Sequence, residues 1–112
     1  MTENWMENLE IVPQEVKRRL ADGETLLLVD VREPWEHETA RIEGARLIPL
    51  REIPAHADEI QEAGEVVLFC HFGMRSLDAA AWLRSQGAAG AVSMSGGIDR
   101  WSVEIDPAVP RY

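Results

Sequence analysis

One stretch of the sequence, VVLFCHFGMRS at residues 66–76, decides the fold. It opens with Val66–Phe69, an uninterrupted apolar run of the kind found in strands buried on both faces of a parallel sheet. A polar, glycine-containing segment follows, and beyond it Ser76–Gln86 carries apolar residues at helical spacing and ends at Gly87. A buried strand that passes through a short loop into a helix is the repeating unit of α/β proteins, so the stretch predicts an α/β fold.

The rest of the chain repeats this alternation in both directions. Apolar runs typical of strands alternate with helical patterns, several of which begin at proline. Short connections between such elements predict a doubly wound, mostly parallel sheet of five strands with helices on both faces. The predicted strands are Leu9–Val12, Leu26–Val31, Arg46–Pro49, Val66–Phe69 and Ala91–Met94, and the predicted helices are Pro13–Ala21, Pro34–Thr39, Pro54–Ala63, Ser76–Gln86 and a final turn from Gly96 to Trp101.

Length, composition and charge bound the class of protein. The chain has 112 residues, of which 46% are hydrophobic and 28% charged, as in one ordinary globular domain. We expect a single domain over residues 1–112, with its motif-bearing core at about 9–104, and a monomer. The net charge of −9 repels polyanions, so we expect neither nucleic acid nor a membrane surface as a partner. A small anionic substrate would need a local positive field within its site.

The cysteine content and the N-terminal segment predict a cytoplasmic protein. Cys70 is the only cysteine, so no disulfide can form within the chain, which fits a reducing compartment. Met1–Glu10 contains three glutamates and no lysine or arginine, unlike the basic start of a secretory signal. The longest apolar stretches, such as Leu26–Val29, are far too short to cross a bilayer.

The loop between the central strand and its helix carries the candidate chemistry. A lone cysteine is commonly a small buried hydrophobe, but the setting of Cys70 favours a reactive thiolate. It lies before a helix N-terminus, where unpaired N–H groups and the helix dipole favour negative charge. Gly73 permits a backbone conformation in which successive N–H groups converge on an anion. Arg75 offers forked donors that we expect to fold back over the sulfur.

Four motifs, in order and at suitable spacing, make the sequence resemble the rhodanese (thiosulfate sulfurtransferase) family in its single-domain form. The resemblance runs roughly from Leu9 to Trp101. The matching segments are Asp30-Val31-Arg32-Glu33 for the first motif, Ile42-Glu43-Gly44-Ala45 with Ile48-Pro49 for the second, Cys70 to Ser76 for the active loop, and Gly96-Gly97 with Trp101 for the closing motif.

The resemblance implies sulfur transfer with Cys70 as the catalytic nucleophile. Its thiolate would take the outer sulfur of a small anionic donor such as thiosulfate, and the resulting persulfide would pass to cyanide, a thiol or a protein acceptor. No metal and no organic cofactor is required. The resemblance further assigns substrate binding to His71, Phe72, Gly73, Met74 and Arg75, and support of the loop to Asp30, Arg32 and Ser76.

Two other functions fit the sequence less well. Domains of this fold that serve as docking or regulatory modules often lack the cysteine, whereas this chain has both Cys70 and Arg75. Phosphatases and arsenate reductases of similar architecture use a Cys-x5-Arg loop, which is wide enough for a tetrahedral oxyanion. The spacing here is Cys-x4-Arg, so phosphoryl chemistry is disfavoured.

Several polar residues near the motifs have structural interpretations. Asp30 ends a buried strand, and we expect its carboxylate to accept backbone N–H groups rather than to react. His71 is interpreted as a loop and specificity residue, and its part in catalysis is left open. Arg41 stands where the family usually has histidine, and its reach toward the site is also open. His37 and His56 are isolated, which leaves no set of metal ligands.

The apolar residues outside the predicted core have two interpretations each. Phe72 and Met74 either line the mouth of the site or pack inward. Trp5 either covers a sheet edge or mediates self-association. We expect the remaining tryptophans, Trp35, Trp82 and Trp101, in the core or at its edge.

Overall fold

The computed structural model describes residues 9–112 as one five-stranded sheet packed with helices, which confirms the α/β fold. None of the described helices is long and apolar enough to cross a membrane. The strands are β1 (Glu10–Ile11), β2 (Leu27–Asp30), β3 (Arg46–Leu47), β4 (Val66–Phe69) and β5 (Ala91–Met94). The helices are α1 (Pro13–Ala21), α2 (Pro34–Thr39), α3 (Ala57–Ala63), α4 (Met74–Ser85) and α5 (Gly97–Glu104), with a 3₁₀ segment, Leu50–His56, before α3.

All neighbouring strands are parallel, in the order β1-β5-β4-β2-β3. The chain steps outward from β2 to β3 and then returns across β2 to form β4. In the register of β2 and β4, Asp30 pairs with Phe69, so both strands end at the same level. Ligands of such sheets bind beyond the carboxyl ends of strands at the point where the strand order reverses. The topology therefore places the ends of β2 and β4 at the expected ligand-binding edge.

Apolar side chains form two layers, one on each face of the sheet. In β4, Val66 and Leu68 pack in the layer beside α4, whereas Val67 and Phe69 pack in the layer beside α1 and α5. Successive side chains of a strand point to opposite faces, so a strand covered on both faces needs apolar residues at every position. This requirement accounts for the uninterrupted apolar run of β4.

Element boundaries differ from the sequence-based prediction in three helices and in strands β1 to β3, which are shorter than predicted. The last helix, predicted to end at Trp101, continues to Glu104. The helix predicted to begin at Pro54 begins at Ala57, and the 3₁₀ segment contains Pro54. The chain is already helical from Leu50, so Pro54 lies inside this segment instead of at a helix start. In this interior position, the N–H that proline lacks would be needed to continue an α-helix. Helix α4 begins at Met74 rather than Ser76, directly after Gly73, which has a left-handed φ of 103°.

The tryptophans divide between the core and the surface. Trp101 is buried, whereas Trp82 is 38% exposed and lines a surface pocket beside the core residues Ile53 and Ala79. Trp35 is 60% exposed, so its prediction as a core or core-edge residue is wrong. The buried residue of α2 is instead its neighbour Glu36, which has polar partners in the site described below. Trp5 lies outside the described residues, and its interpretation stays untested.

Candidate active site

The candidate nucleophile lies where β2 and β4 end side by side. Cys70 directly follows β4, and the backbone N–H of Val31, just after β2, donates to Phe69 O at 3.0 Å. The two strands therefore bring the first-motif segment and the cysteine loop, residues 70–76, to one edge of the sheet. This is the edge at which doubly wound folds bind ligands.

Hydrogen-bond donors from the cysteine loop surround the sulfur. Cys70 Sγ accepts the backbone N–H of Gly73 at 3.1 Å, the backbone N–H of Ser76 at 3.4 Å and the Ser76 hydroxyl at 3.5 Å. Cys70 is only 1% exposed, so these donors take the place of water around the sulfur. Donors at the first turn of α4, together with the helix dipole, favour a negative charge on Sγ. The loop therefore suits an anionic sulfur.

Gly97 allows the start of α5 to hold the cysteine loop. The backbone N–H groups of Ile98 and Asp99 donate to Cys70 O at 2.9 Å and to His71 O at 3.1 Å. Gly97 has a φ of +62°, and a Cβ at this position would lie 2.5 Å from Cys70 O. Both the left-handed conformation and the close backbone approach require glycine.

Arg75 binds a carboxylate across the site instead of the sulfur. Its Nη1 and Nη2 donate to the two carboxylate oxygens of Glu36 at 2.9 and 3.0 Å, so the expected folding of Arg75 back over the sulfur is not observed. Burial of Glu36 favours its neutral form, but hydrogen bonds from Arg75, the Glu33 N–H and Tyr112 lower its pKa to about 2. The hydrogen bond to Glu36 in turn raises the pKa of Arg75. The role of Arg75 in substrate binding stays a prediction.

Asp30 and Arg32 form a fully buried ion pair. Arg32 Nε and Nη2 donate to Asp30 Oδ1 at 2.8 Å and to Oδ2 at 2.7 Å, and Oδ1 also accepts the Arg32 backbone N–H at 3.0 Å. The guanidinium also donates to the carbonyl oxygens of Glu36 and Ala40. Burial disfavours the charge of Arg32, but hydrogen bonds with Asp30 and Tyr112 outweigh it and raise the pKa of Arg32. The pair fixes the end of β2 to α2.

Tyr112 joins the cysteine loop to this buried pair. Its ring stacks on His71, with centroids 3.9 Å apart and 5° between the ring planes. Its hydroxyl donates to Glu36 Oε2 at 2.7 Å and accepts from Arg32 Nη1 at 2.8 Å. Burial, followed by the hydrogen bond to Glu36, raises the pKa of Tyr112 to about 12, so the hydroxyl remains a donor at neutral pH. Tyr112 thereby contacts three parts of the site.

The cysteine loop itself carries exposed apolar side chains. Phe72 is 60% exposed and Met74 is 78% exposed, so both face solvent and inward packing is the wrong interpretation. His71 stacks on both Phe72 and Tyr112, with centroids 3.9 Å apart in each case. Within residues 9–112, His71 Nε2 is buried without a hydrogen-bond partner, and its part in catalysis stays open. Trp35 contacts Tyr112 edge-on at a centroid distance of 5.9 Å.

The remaining candidate residues take no part in the hydrogen bonds of the sulfur. His37 Nδ1 lies 2.9 Å from Asp30 Oδ2, and His56 pairs with Glu59. In the described part of the chain, no three side chains of His, Cys, Asp or Glu are grouped to hold a metal ion. Arg41 is exposed and lines a surface groove whose lining includes no residue of the cysteine loop.

Sequence reasoning missed three residues of the site, namely Glu36, Tyr112 and Ser93. Ser93 Oγ lies 2.7 Å from the hydroxyl of Ser76, the side chain that contacts the sulfur. Ser93 carried a signal, because it is a polar residue inside a short apolar strand. Glu36 also carried one, because its spacing from Glu33 is that of a capping box. No local pattern indicates Tyr112, which reaches the site only through the fold.

Known proteins related in sequence support this description of the chain. The family model of the rhodanese-like domain matches residues 12–104. A sulfurtransferase of Allochromatium vinosum is 39% identical over 93 residues, which are 83% of this chain and 87% of that protein. The rhodanese-like/PpiC domain-containing protein 12 of Arabidopsis thaliana, a chloroplastic protein, is 37% identical over 89 residues, or 76% of this chain. The matched region spans only 30% of that longer protein.

Solved structures show the same fold. The human single-domain sulfurtransferase superposes with a TM-score of 0.74 at 28% identity, covering 86% of this chain and 96% of that one. A crystal structure from Staphylococcus saprophyticus superposes with a TM-score of 0.77 at 28% identity, covering 90% of this chain and 97% of that one. The family match spans the cysteine loop, the Gly96-Gly97 motif and strands β2 to β5, so the chain belongs to the rhodanese-like domain family.

Proposed function

We propose that this protein is a sulfurtransferase that takes sulfur from an anionic donor such as thiosulfate and carries it as a persulfide on Cys70. Its family and its relatives named as sulfurtransferases support sulfur transfer in general. The observation that carries the proposal is the set of three donors, from Gly73 and Ser76, on a buried sulfur. Such donors stabilise the thiolate both when it attacks and when it leaves.

In the first half-reaction, the Cys70 thiolate attacks the outer sulfur of thiosulfate. A bond forms between Sγ and that sulfur, the sulfur–sulfur bond of thiosulfate breaks, and its electron pair leaves on sulfite. The product is a persulfide with its negative charge on the outer sulfur. No proton and no external oxidant is needed, because the attacking and leaving groups exchange one sulfur atom at constant total charge.

In the second half-reaction, a nucleophile removes the outer sulfur. The carbon of cyanide bonds to it, the bond to Sγ breaks, and thiocyanate departs while Sγ regains its electron pair as a thiolate. The donors from Gly73 and Ser76 stabilise this leaving thiolate. A thiolate, free or on a protein, would accept the sulfur in the same way and become a persulfide itself.

Attraction of a dianionic donor must come from the loop, because the chain carries a net charge of −9. The N–H groups and dipole at the first turn of α4 supply part of this attraction. Arg75 supplies the rest. Glu36 accepts only two of its N–H groups, and 37% of the Arg75 side chain is exposed, so further donors of the guanidinium face solvent.

Steady-state formation of thiocyanate from thiosulfate and cyanide tests the proposal. We expect turnover by the wild-type protein and none above background by Cys70→Ser, because an alcohol does not form a persulfide. Circular dichroism of both proteins checks that the variant is folded. Equal turnover by the two proteins would contradict the proposal. Hydrolysis of an aryl phosphate that depends on Cys70, without thiocyanate formation, would replace it with phosphatase activity.

A further inference from the structure

A chain of buried hydroxyl groups leads from β5 to the sulfur. Ser93 Oγ lies 2.7 Å from Ser76 Oγ, and Ser76 Oγ lies 3.5 Å from Cys70 Sγ. Ser76 and Ser93 are 0% exposed and Cys70 is 1% exposed, so water does not compete for these contacts. The sulfur is therefore connected to a second hydroxyl that does not itself touch it.

Ser93 stands out among the residues around it. Strand β5 lies between β1 and β4, and its other fully buried residues, Ala91 and Met94, are apolar. A hydroxyl buried at such a position destabilises the fold unless it has a hydrogen-bond partner. Its partner is Ser76, on the helix that begins beside the sulfur.

The direction of the Ser76–Ser93 hydrogen bond determines whether the Ser76 hydroxyl can donate a hydrogen bond to the sulfur. The Ser76 hydroxyl has one proton and three acceptors in reach: Gly73 O at 3.3 Å, Cys70 Sγ at 3.5 Å and Ser93 Oγ at 2.7 Å. If Ser76 donates to Ser93, the sulfur loses this donor. If Ser93 donates to Ser76, the Ser76 proton is free to turn toward the sulfur.

We propose that Ser93 is a positioning residue for sulfur transfer, which donates to Ser76 Oγ and so directs the Ser76 proton to an anionic Cys70 Sγ. The inference rests on the proposed function. It adds a residue that acts on the sulfur only through another side chain. In a hydrogen-bonded chain each bond polarises the next, so the donor at Ser93 strengthens the bond that Ser76 makes to the thiolate.

The two half-reactions respond differently to loss of this donor. In discharge, Sγ leaves as a thiolate, and a less stabilised thiolate leaves more slowly. In loading, the same thiolate is less abundant but more nucleophilic, and these two changes oppose each other. Removal of the Ser93 hydroxyl should therefore slow discharge much more than loading. A substitution that only loosened the cysteine loop would slow both loading and discharge.

Single-turnover kinetics of Ser93→Ala test this prediction. Loading is followed by intact mass after mixing with thiosulfate, and discharge by intact mass after mixing the desalted persulfide form with cyanide. We expect discharge to slow by about fivefold, the kinetic equivalent of one hydrogen bond, and loading to change by less than about twofold. The matched control is Ser102→Ala, which removes another buried hydroxyl that donates to Val109 O instead of a residue of the cysteine loop.

A double-mutant cycle decides whether Ser93 acts through Ser76. In the Ser76→Ala background, we expect Ser93→Ala to leave discharge unchanged. An equal slowing in both backgrounds, an equal slowing of loading and discharge, or no slowing at all would overturn the inference. If thiosulfate fails to load the wild-type protein, the persulfide is formed with inorganic polysulfide and the discharge comparison is repeated. That failure counts against the proposed donor and leaves the test of Ser93 intact.

Discussion

The two sides of the candidate site are built in different ways. On one side, which we call the loop side and define as Cys70, Gly73 and Ser76, the sulfur accepts two backbone N–H groups that lie only three and six positions along the chain. On the other side, which we call the α2 side and define as Arg32, Glu36, Arg75 and Tyr112, long-range side-chain contacts dominate. Arg75 meets Glu36 across 39 positions, and Tyr112 meets Glu36 across 76.

This difference separates the groups that sulfur transfer requires from the groups that adjust donor affinity and stability. Backbone donors are present whatever the side chains are, provided that the loop keeps its conformation and α4 begins at the right residue. The α2 side depends on particular side chains, each replaceable by a single substitution. We therefore expect damage to the loop backbone to abolish sulfur transfer, and changes on the α2 side to alter donor affinity and stability.

The largest effect is expected from Gly97→Ala, which disrupts the loop side because the new side chain collides with the backbone of the cysteine loop. The new Cβ would meet Cys70 O at 2.5 Å and would sit on a residue with a φ of +62°. The start of α5 must then move away from the cysteine loop. We expect thiocyanate formation to fall by more than about tenfold and the free energy of unfolding to fall by about 3 kcal/mol, as measured with urea.

Gly23→Ala is the matched control for this variant. Gly23 has a similar φ of +75°, but a Cβ there meets nothing within 4 Å. Gly23→Ala introduces the backbone strain without the close contact. We therefore expect the free energy of unfolding to fall by about 1 kcal/mol and sulfur transfer to be unchanged. Equal losses of transfer in the two variants would show that the contact between α5 and the cysteine loop does not hold the site.

A smaller effect is expected from opposite changes to the Arg75–Glu36 pair on the α2 side. Arg75→Ala removes the positive charge and should raise the KM for thiosulfate by about threefold, whereas Glu36→Gln removes the opposing negative charge and should lower KM by a similar factor. The kcat of both variants should change less than KM. A higher KM in Glu36→Gln would show instead that the carboxylate holds Arg75 in its binding orientation.

The lowered pKa of the Glu36 carboxyl group predicts that the protein loses stability at acidic pH. The pKa of Glu36 is lowered from 4.5 to about 2 in the folded protein, so its contribution is present above pH 4.5 and is lost as the pH falls toward 2. The difference in unfolding free energy between the wild type and Glu36→Gln should shrink over this range. A difference that stays constant from pH 5 to pH 3 would contradict the assignment.

The smallest effect is expected from Tyr112→Phe, which keeps the ring on His71 and removes the hydroxyl from Glu36 and Arg32. We expect a loss of about 1 kcal/mol in urea unfolding and a change in transfer of less than about twofold. The pKa of Tyr112 is raised from 10 to about 12, so the wild type should lose stability as the pH rises through this range. An equal alkaline loss in Tyr112→Phe would contradict the assigned hydrogen bonds.

The loop side could be predicted from the sequence because its parts are contiguous. The apolar run of β4, the glycine at position 73 and the helix that follows together predict where the sulfur lies and which groups surround it. Even here the sequence pattern predicts the first turn of α4 two residues late, at Ser76 instead of Met74. The left-handed conformation of Gly73, which allows the earlier start, is not visible in hydrophobic periodicity.

The α2 side could not be predicted, because its partners are brought together only by the fold. Trp35 and Glu36 show the difficulty most clearly. Hydrophobicity alone favours a buried Trp35 and an exposed Glu36, but Trp35 is 60% exposed and Glu36 only 4%. Glu36 is buried because Arg75, Tyr112 and the Glu33 N–H satisfy its carboxylate, and two of these donors are distant in sequence.

The most direct test of the account is the location of the sulfur after the first half-reaction. The wild-type protein is mixed with thiosulfate and desalted, and its intact mass and peptide masses are measured before and after addition of cyanide. We predict a gain of one sulfur atom on the peptide that contains Cys70, and its complete loss to cyanide. No gain in mass, or a gain that cyanide does not remove or that persists in Cys70→Ser, would contradict the central claim that Cys70 takes sulfur from thiosulfate and carries it in transferable form.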